Sequence, residues 1–130
     1  MLNNAKWITY DPENTKDLPE NLCIDYRNTL KLDQPSQNIE SATVCASAIG
    51  LYMVTINQNK ITDSIFNPGW TNYRTRIQYQ TYDVKNLLAQ NNSISILSAN
   101  GWAVKFRSLH RDSSAFCLSS PSSVAASSYA

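Results

Sequence analysis

Between Ser41 and Lys60 the chain alternates with period two, which leaves room for little except β-strands. Ala42, Val44, Ala46 and Ala48 fall on one face, with Thr43, Cys45 and Ser47 on the other. Beyond Gly50, Tyr52, Val54 and Ile56 alternate in the same way with Leu51, Met53 and Thr55. Successive strand side chains point to opposite faces, and β-branched residues pack well on a pleated surface, so both segments are expected to be strands. The polar run Asn57-Gln58-Asn59-Lys60 then supplies a hairpin turn, because asparagine tolerates the positive φ that tight turns need.

Similar segments recur on either side. Lys6-Trp7-Ile8-Thr9-Tyr10 reads as a first strand closed by Asp11-Pro12, and the polar stretch from Asn14 to Asn21 reads as loop. Leu22 to Leu32 has strand composition and stops at Asp33-Gln34-Pro35-Ser36. From Arg76 to Tyr82 the alternation returns, with Ile77, Tyr79 and Thr81 opposite Gln78, Gln80 and Tyr82. Asp83 is placed to accept free backbone N–H groups at the start of a short helix, Val84 to Ala89, that ends at Asn91-Asn92. Ser93 to Leu97 is a further strand. Short strands divided by turns, with almost no helix, predict an all-β, antiparallel β-sandwich. At 130 residues the chain fits one domain. The segment from Arg107 to Ala130 is rich in serine and shows no strand or helix period, so it reads as disordered.

The bulk numbers exclude several functions. Eleven basic and 10 acidic residues are spread along the chain for a net charge of +1, without the basic cluster that nucleic acid needs. No apolar run approaches the ~20 residues of a membrane span. The N-terminus lacks a charged start followed by an apolar core, so a cytoplasmic location is expected. Cys23, Cys45 and Cys117 have no metal-type spacing and read as buried free thiols in a reducing compartment. His110 stands alone, so a zinc site lacks ligands, and the serines around Ala115 lack a His or Asp partner for a nucleophile.

Aromatic and planar polar groups are densest from Asn67 to Val84. Pro68-Gly69 forms a turn there, and Trp70, Asn72, Tyr73 and Arg74 follow it. Sugars present C–H faces to aromatic rings and hydroxyls to planar donors and acceptors. Trp70, Tyr73 and Arg74 are therefore the leading carbohydrate-binding candidates. Asn67, Asn72, Asn100 and Trp102 join them if the two loops meet in space. The competing reading packs Trp70 over the end of the sandwich or against a neighbouring domain. Hydrolysis of a glycoside needs a pair of carboxylates, and only Asp83 lies in an aromatic setting, where a helix-capping role explains it better.

This run resembles the PGWT-x-Y-x-x-R-x-x-Y-x-TYDV signature near the N-terminus of bacterial α-L-rhamnosidases. Ala5-Lys6-Trp7-Ile8 is similar to the opening of those modules, and Gly50-Leu51-Tyr52 with Ile56-Asn57 resembles their GLY…INGK hairpin, with Gln58 and Asn59 departing from the usual glycine. Asn100-Gly101-Trp102 resembles the family's GNGW. The resemblance implies that residues 1–105 form a jelly-roll-like, galactose-binding-domain-like β-sandwich. It implies a non-catalytic accessory module, structural or carbohydrate-recognising, of an enzyme that hydrolyses terminal α-L-rhamnosides. The family's catalytic carboxylates lie in a separate (α/α)₆ barrel, so no catalytic residue carries over. Rhamnose-containing glycosides and the other domains of the parent enzyme are the implied partners. No cofactor is expected, although Asp63, Asn57 and Asn59 offer oxygens of the kind calcium takes, and related sugar-binding modules use that ion. The resemblance ends near Val104, which implies a truncated member. Residues 106–130 then form a disordered or aberrant tail, and the sandwich lacks a closing strand.

Overall fold

Eight antiparallel strands make up most of what the computed structural model describes, which is residues 5–8, 23–101 and 114–119. They are β1 (Lys6–Ile8), β2 (Cys23–Lys31), β3 (Thr43–Ala48), β4 (Leu51–Ile56), β5 (Asn59–Lys60), β6 (Gln80–Asp83), β7 (Asn91–Ala99) and β8 (Ser114–Ser119). One sheet runs β1-β8-β3-β6 and the other β2-β7-β4-β5. The expected all-β sandwich is therefore what forms. The described residues contain no α-helix, only short 3₁₀ turns at Ser36–Asn38 and Lys85–Leu87.

The alternation assigns the faces. Val44, Ala46 and Ala48 of β3 meet Tyr52, Val54 and Ile56 of β4 and Ile94 and Ile96 of β7 in one buried cluster. Burying an aliphatic side chain of this size contributes about 1.5–3 kcal/mol, so this layer supplies most of the cohesion between the sheets. Cys45 and Ser47, on the other face of β3, are buried as well. The Ser47 hydroxyl there donates to Gln78 O at 2.5 Å.

Consecutive strands β3 and β4 belong to different sheets, so the chain must cross the sandwich at Ile49-Gly50. Gly50 has φ +117°, and a Cβ there would lie 2.4 Å from Ala99 O and 2.8 Å from Asn100 O. The corner therefore needs glycine for both its backbone angle and its contact with the end of β7.

A hydroxyl ties the two sheets together behind this corner. Tyr52 of β4 brings its Oη to 2.7 Å from Gln80 Oε1, 2.9 Å from the Tyr82 hydroxyl and 3.2 Å from Ala46 O. The three partners sit on β6 and β3, in the opposite sheet. Gln80 passes the link onward by donating its Nε2–H to Pro68 O at 3.0 Å. Burial, reinforced by the Tyr82 hydrogen bond, holds the Tyr52 phenol far above its ordinary pKa.

The hairpin turn at Asn57-Gln58 forms as expected, with φ of 51° and 68°. The β4–β5 ladder pairs Ile56 with Asn59. The Asn57 side chain accepts the Ser93 N–H at 2.9 Å and donates to Leu87 O and Asn92 Oδ1, both at 2.9 Å. The turn is thus bolted to the start of β7 and to the 85–87 turn.

Several expectations are corrected. The helix from Val84 to Ala89 is a single 3₁₀ turn, because Val84 is buried in the core and Leu88 is already extended. Asp83 ends β6, and its carboxylate does accept a backbone N–H, from Lys85 at 3.0 Å. Asn91 and Asn92 open β7 rather than close a helix. The strand expected over Arg76 to Tyr82 forms only at Gln80–Asp83, since the Arg76 N–H turns back to Asn72 O. Cys23 is exposed on β2 at a sheet margin, not buried. Finally, the serine-rich segment contains β8, which pairs with both β1 and β3. Four apolar residues, Ala115 to Leu118, lie between its serines. Main-chain pairing to β3 there satisfies backbone groups that would otherwise be left open.

Replacing Gly50 with alanine is expected to cost about 3 kcal/mol or more, from strain and backbone overlap, read as a drop in the urea midpoint. Tyr52→Phe is expected to cost about 1–3 kcal/mol by leaving buried partners unmatched. A phenol whose pKa is raised by folding contributes stability that is complete below the unfolded value near 10 and lost above it. Stability measured against pH should therefore fall above about pH 10, and Tyr52→Phe should make that fall shallower.

Candidate functional site

The segment after β5 is pinned before it reaches Trp70. Asn67 O accepts the Tyr52 N–H at 2.8 Å, and the Asn67 side chain exchanges two hydrogen bonds with Ser64, each 3.2 Å. Gly69, at φ +89°, donates its N–H to Phe66 O at 2.8 Å and closes the Pro-Gly turn. The turn therefore stands on Tyr52 from one side and, through Pro68 O, on Gln80 from the other. Its far end carries the indole of Trp70, which is 63% exposed.

A second tight turn follows. Asn72 O accepts the N–H groups of Thr75 and Arg76 at 3.0 and 2.9 Å, and Asn72 Oδ1 accepts the Arg74 N–H at 3.2 Å. Thr71 between the turns is buried. Trp70, Thr71, Asn72, Thr75 and Arg76 consequently line one shallow, open depression of about 490 Å³. An aromatic, an amide-bearing and a guanidinium-bearing residue line it together. These are the groups that match the C–H face and the hydroxyls of a sugar ring. The lining holds no carboxylate, so it offers no acid–base pair.

The sequence-predicted set divides in two. Trp70 and Asn72 come together in the depression, and exposed Arg74 lies outside its lining. Tyr73 turns inward to the Gly50 backbone, and burial raises its phenol pKa while that backbone contact opposes the rise. Asn100 is only 5% exposed, with its carbonyl packed at the Gly50 corner. Tyr73 and Asn100 therefore support the β3–β4 crossing and do not face the depression. Buried Asn67 likewise serves the turn. Trp102 lies outside the described residues.

Residue-by-residue reading missed Thr75 and Arg76, which reach the depression only because the chain reverses at Asn72. It also missed Ile65 and Phe66, which are 75% and 59% exposed on the approach to the same turn. Two large apolar residues flanked by Ser64 and Asn67, with no strand period around them, were the available signal.

Two other locations compare poorly. A depression of about 810 Å³ on the outer face of the β2-β7-β4 sheet is lined by Arg27, Thr55, Ser95 and neighbours, without an aromatic ring. Beside it the Ser95 hydroxyl and the Arg27 guanidinium, 2.6 Å from Asp25, hold the Asp25 carboxyl below its ordinary pKa. Of the residues with calcium-type oxygens, Asn57 is committed to the Ser93, Leu87 and Asn92 contacts, Asn59 donates to Asn57 O at 3.0 Å, and Asp63 is exposed. Among the described residues no group of three His, Cys, Asp or Glu could hold a metal.

Comparison with known proteins agrees with this architecture. The family described as alpha-L-rhamnosidase N-terminal domain matches residues 37–126. An alpha-L-rhamnosidase of Formosa agariphila is 31% identical over 109 residues, covering 78% of this chain and 12% of that protein. One from Streptomyces avermitilis is 38% identical over 69 residues, covering 52% of this chain and 7% of that protein. The chain thus spans between 7% and 12% of the length of these relatives. The crystal structure of an alpha-L-rhamnosidase from Aspergillus terreus superposes with a TM-score of 0.68 at 27% identity, covering 78% of this chain and 12% of that one. The enzyme from Dictyoglumus thermophilum gives 0.71 at 24% identity over 89% of this chain and 14% of its own, a likeness of fold.

The division of the site has a direct consequence for stability. Trp70→Ala, on the exposed side, should leave the folding free energy within about 0.5 kcal/mol of the parent. Asn100→Ala, on the buried side, should cost about 1–3 kcal/mol, both measured by chemical denaturation.

Proposed function

Because the chain belongs to the family of alpha-L-rhamnosidase N-terminal domains, we propose that it acts as a non-catalytic accessory module of such an enzyme and holds rhamnose-containing glycosides on the Trp70 depression. The parent activity in this reading is hydrolysis of terminal α-L-rhamnosides, carried out by carboxylates in a different domain. The observation that carries the reading is the exposed Trp70 indole set on a doubly anchored turn, beside the Asn72 and Arg76 side chains. A rigid ring loses little freedom when a sugar stacks on it. The Asn72 carboxamide and the Arg76 guanidinium orient the hydroxyls, while the shallow rim limits the contact to one ring face. Binding of this kind is weak, with Kd of about 1 mM and ΔG near −4 kcal/mol.

A second reading rests on Ile65 and Phe66, which extend the apolar surface beyond what one sugar ring covers. In that reading the whole turn packs against a neighbouring domain of the longer enzyme and has no sugar affinity.

Titration with methyl α-L-rhamnoside, followed by the Trp70 indole N–H resonance, separates the two. The expected result is a saturable shift with millimolar Kd, absent with methyl α-D-glucoside and abolished in Arg76→Ala at unchanged melting temperature. An indole resonance that stays still at about 100 mM glycoside, a hundredfold above the expected Kd, favours the packing reading.

A further inference from the structure

Cys45 of β3 stands directly opposite Cys117 of β8 in the antiparallel ladder. On its other flank it stands directly opposite Thr81 of β6. The three positions form one row across neighbouring strands, and on the β6 side this register brings Cys45 Sγ to 3.6 Å from Thr81 Oγ1. Opposite positions of an antiparallel pair share a face, with Cα atoms about 4.5 Å apart when not hydrogen bonded and about 5.5 Å apart when hydrogen bonded. Both separations fall within the ~4.4–6.8 Å that a disulfide bridges. The remaining cysteine, Cys23, is in the other sheet, opposite Ala99. Of the three cysteines in the chain, only Cys45 and Cys117 are in register.

We propose that Cys45 and Cys117 are a redox modification site, forming a cross-strand disulfide when the protein meets a low-molecular-weight disulfide such as oxidised glutathione. One protein thiolate attacks a sulfur of the small disulfide, breaks its S–S bond and releases one small thiolate. The opposite cysteine, as thiolate, then attacks the protein sulfur of that mixed disulfide and releases the second. The two protein thiols lose two electrons to the small disulfide, and their two protons end on the released small thiols. The new bond locks β8, which is distant in sequence, onto β3. Closing a long loop restricts the unfolded chain, so the oxidised form should melt at a higher temperature.

The test is to incubate the folded full chain with oxidised glutathione, block remaining thiols with iodoacetamide, and digest with trypsin without reductant. Cleavage after Lys31, Lys60 and Arg111 puts Cys45 in peptide 32–60 and Cys117 in peptide 112–130, while Cys23 falls in a separate peptide. The expected product is peptide 32–60 joined to peptide 112–130, split by dithiothreitol. It should persist in Cys23→Ser and be absent from both Cys45→Ser and Cys117→Ser. The melting temperature should rise on oxidation and return on reduction. Alkylated Cys45 and Cys117 in the oxidised sample, or a bridge that includes Cys23, would overturn the assignment.

Discussion

The sandwich depends on one phenol. Apolar contact between the sheets is strong but non-directional, so alone it would allow β3 and β4 to slide against each other. The Tyr52 hydroxyl removes that freedom, because its partners on Ala46, Gln80 and Tyr82 come from two strands of the facing sheet. Leaving any of these groups unmatched in the interior would cost more than a made hydrogen bond contributes, which makes the arrangement specific as well as cohesive. Gln80 extends the constraint to Pro68 and so fixes where the exposed turn begins.

The GLY and TYDV segments take on a physical meaning here. Gly50, Tyr52, Gln80 and Tyr82 are engaged with one another and with the corner at Ala99 and Asn100. They make the crossing between sheets possible and hold it in register. Their work leaves Trp70, Asn72 and Arg76 outside, on a platform whose position is dictated from within. Under the proposed function, recognition and architecture fall to adjacent residues of the same short run.

Legibility followed the reach of each interaction along the chain. Strands β3 and β4 and the Asn57 turn were readable because period, β-branching and asparagine chemistry all act locally. That Tyr52 shares a face with Val54 and Ile56 was readable for the same reason. Tyr73 and Asn100 looked like binding groups because nothing near them reveals that both meet Gly50, a contact created only by folding. The beginning of β6 was overestimated because Asn72 captures the Arg76 N–H and bends the chain away from the ladder. The 85–87 turn looked like a helix until the burial of Val84 took precedence over capping. Strand β8 was invisible: four apolar residues among serines have no convincing period, and their pairing is dictated by the open side of β3.

The position of β8 also orders events during synthesis. The sheet made of β2, β7, β4 and β5 has all its strands once Ala99 has been made. The other sheet cannot close then, because β8 lies between β1 and β3, and among the described strands β1 pairs only with β8. A ribosome adds about 5–20 residues per second, so the interval between Ala99 and Ser119 lasts about 1–4 s. For that time every strand of one sheet has been synthesised while β3 still lacks the neighbour that β8 supplies, and β1, made long before, waits for it. Vectorial growth of the polypeptide thereby completes the strand set of one sheet before that of the other.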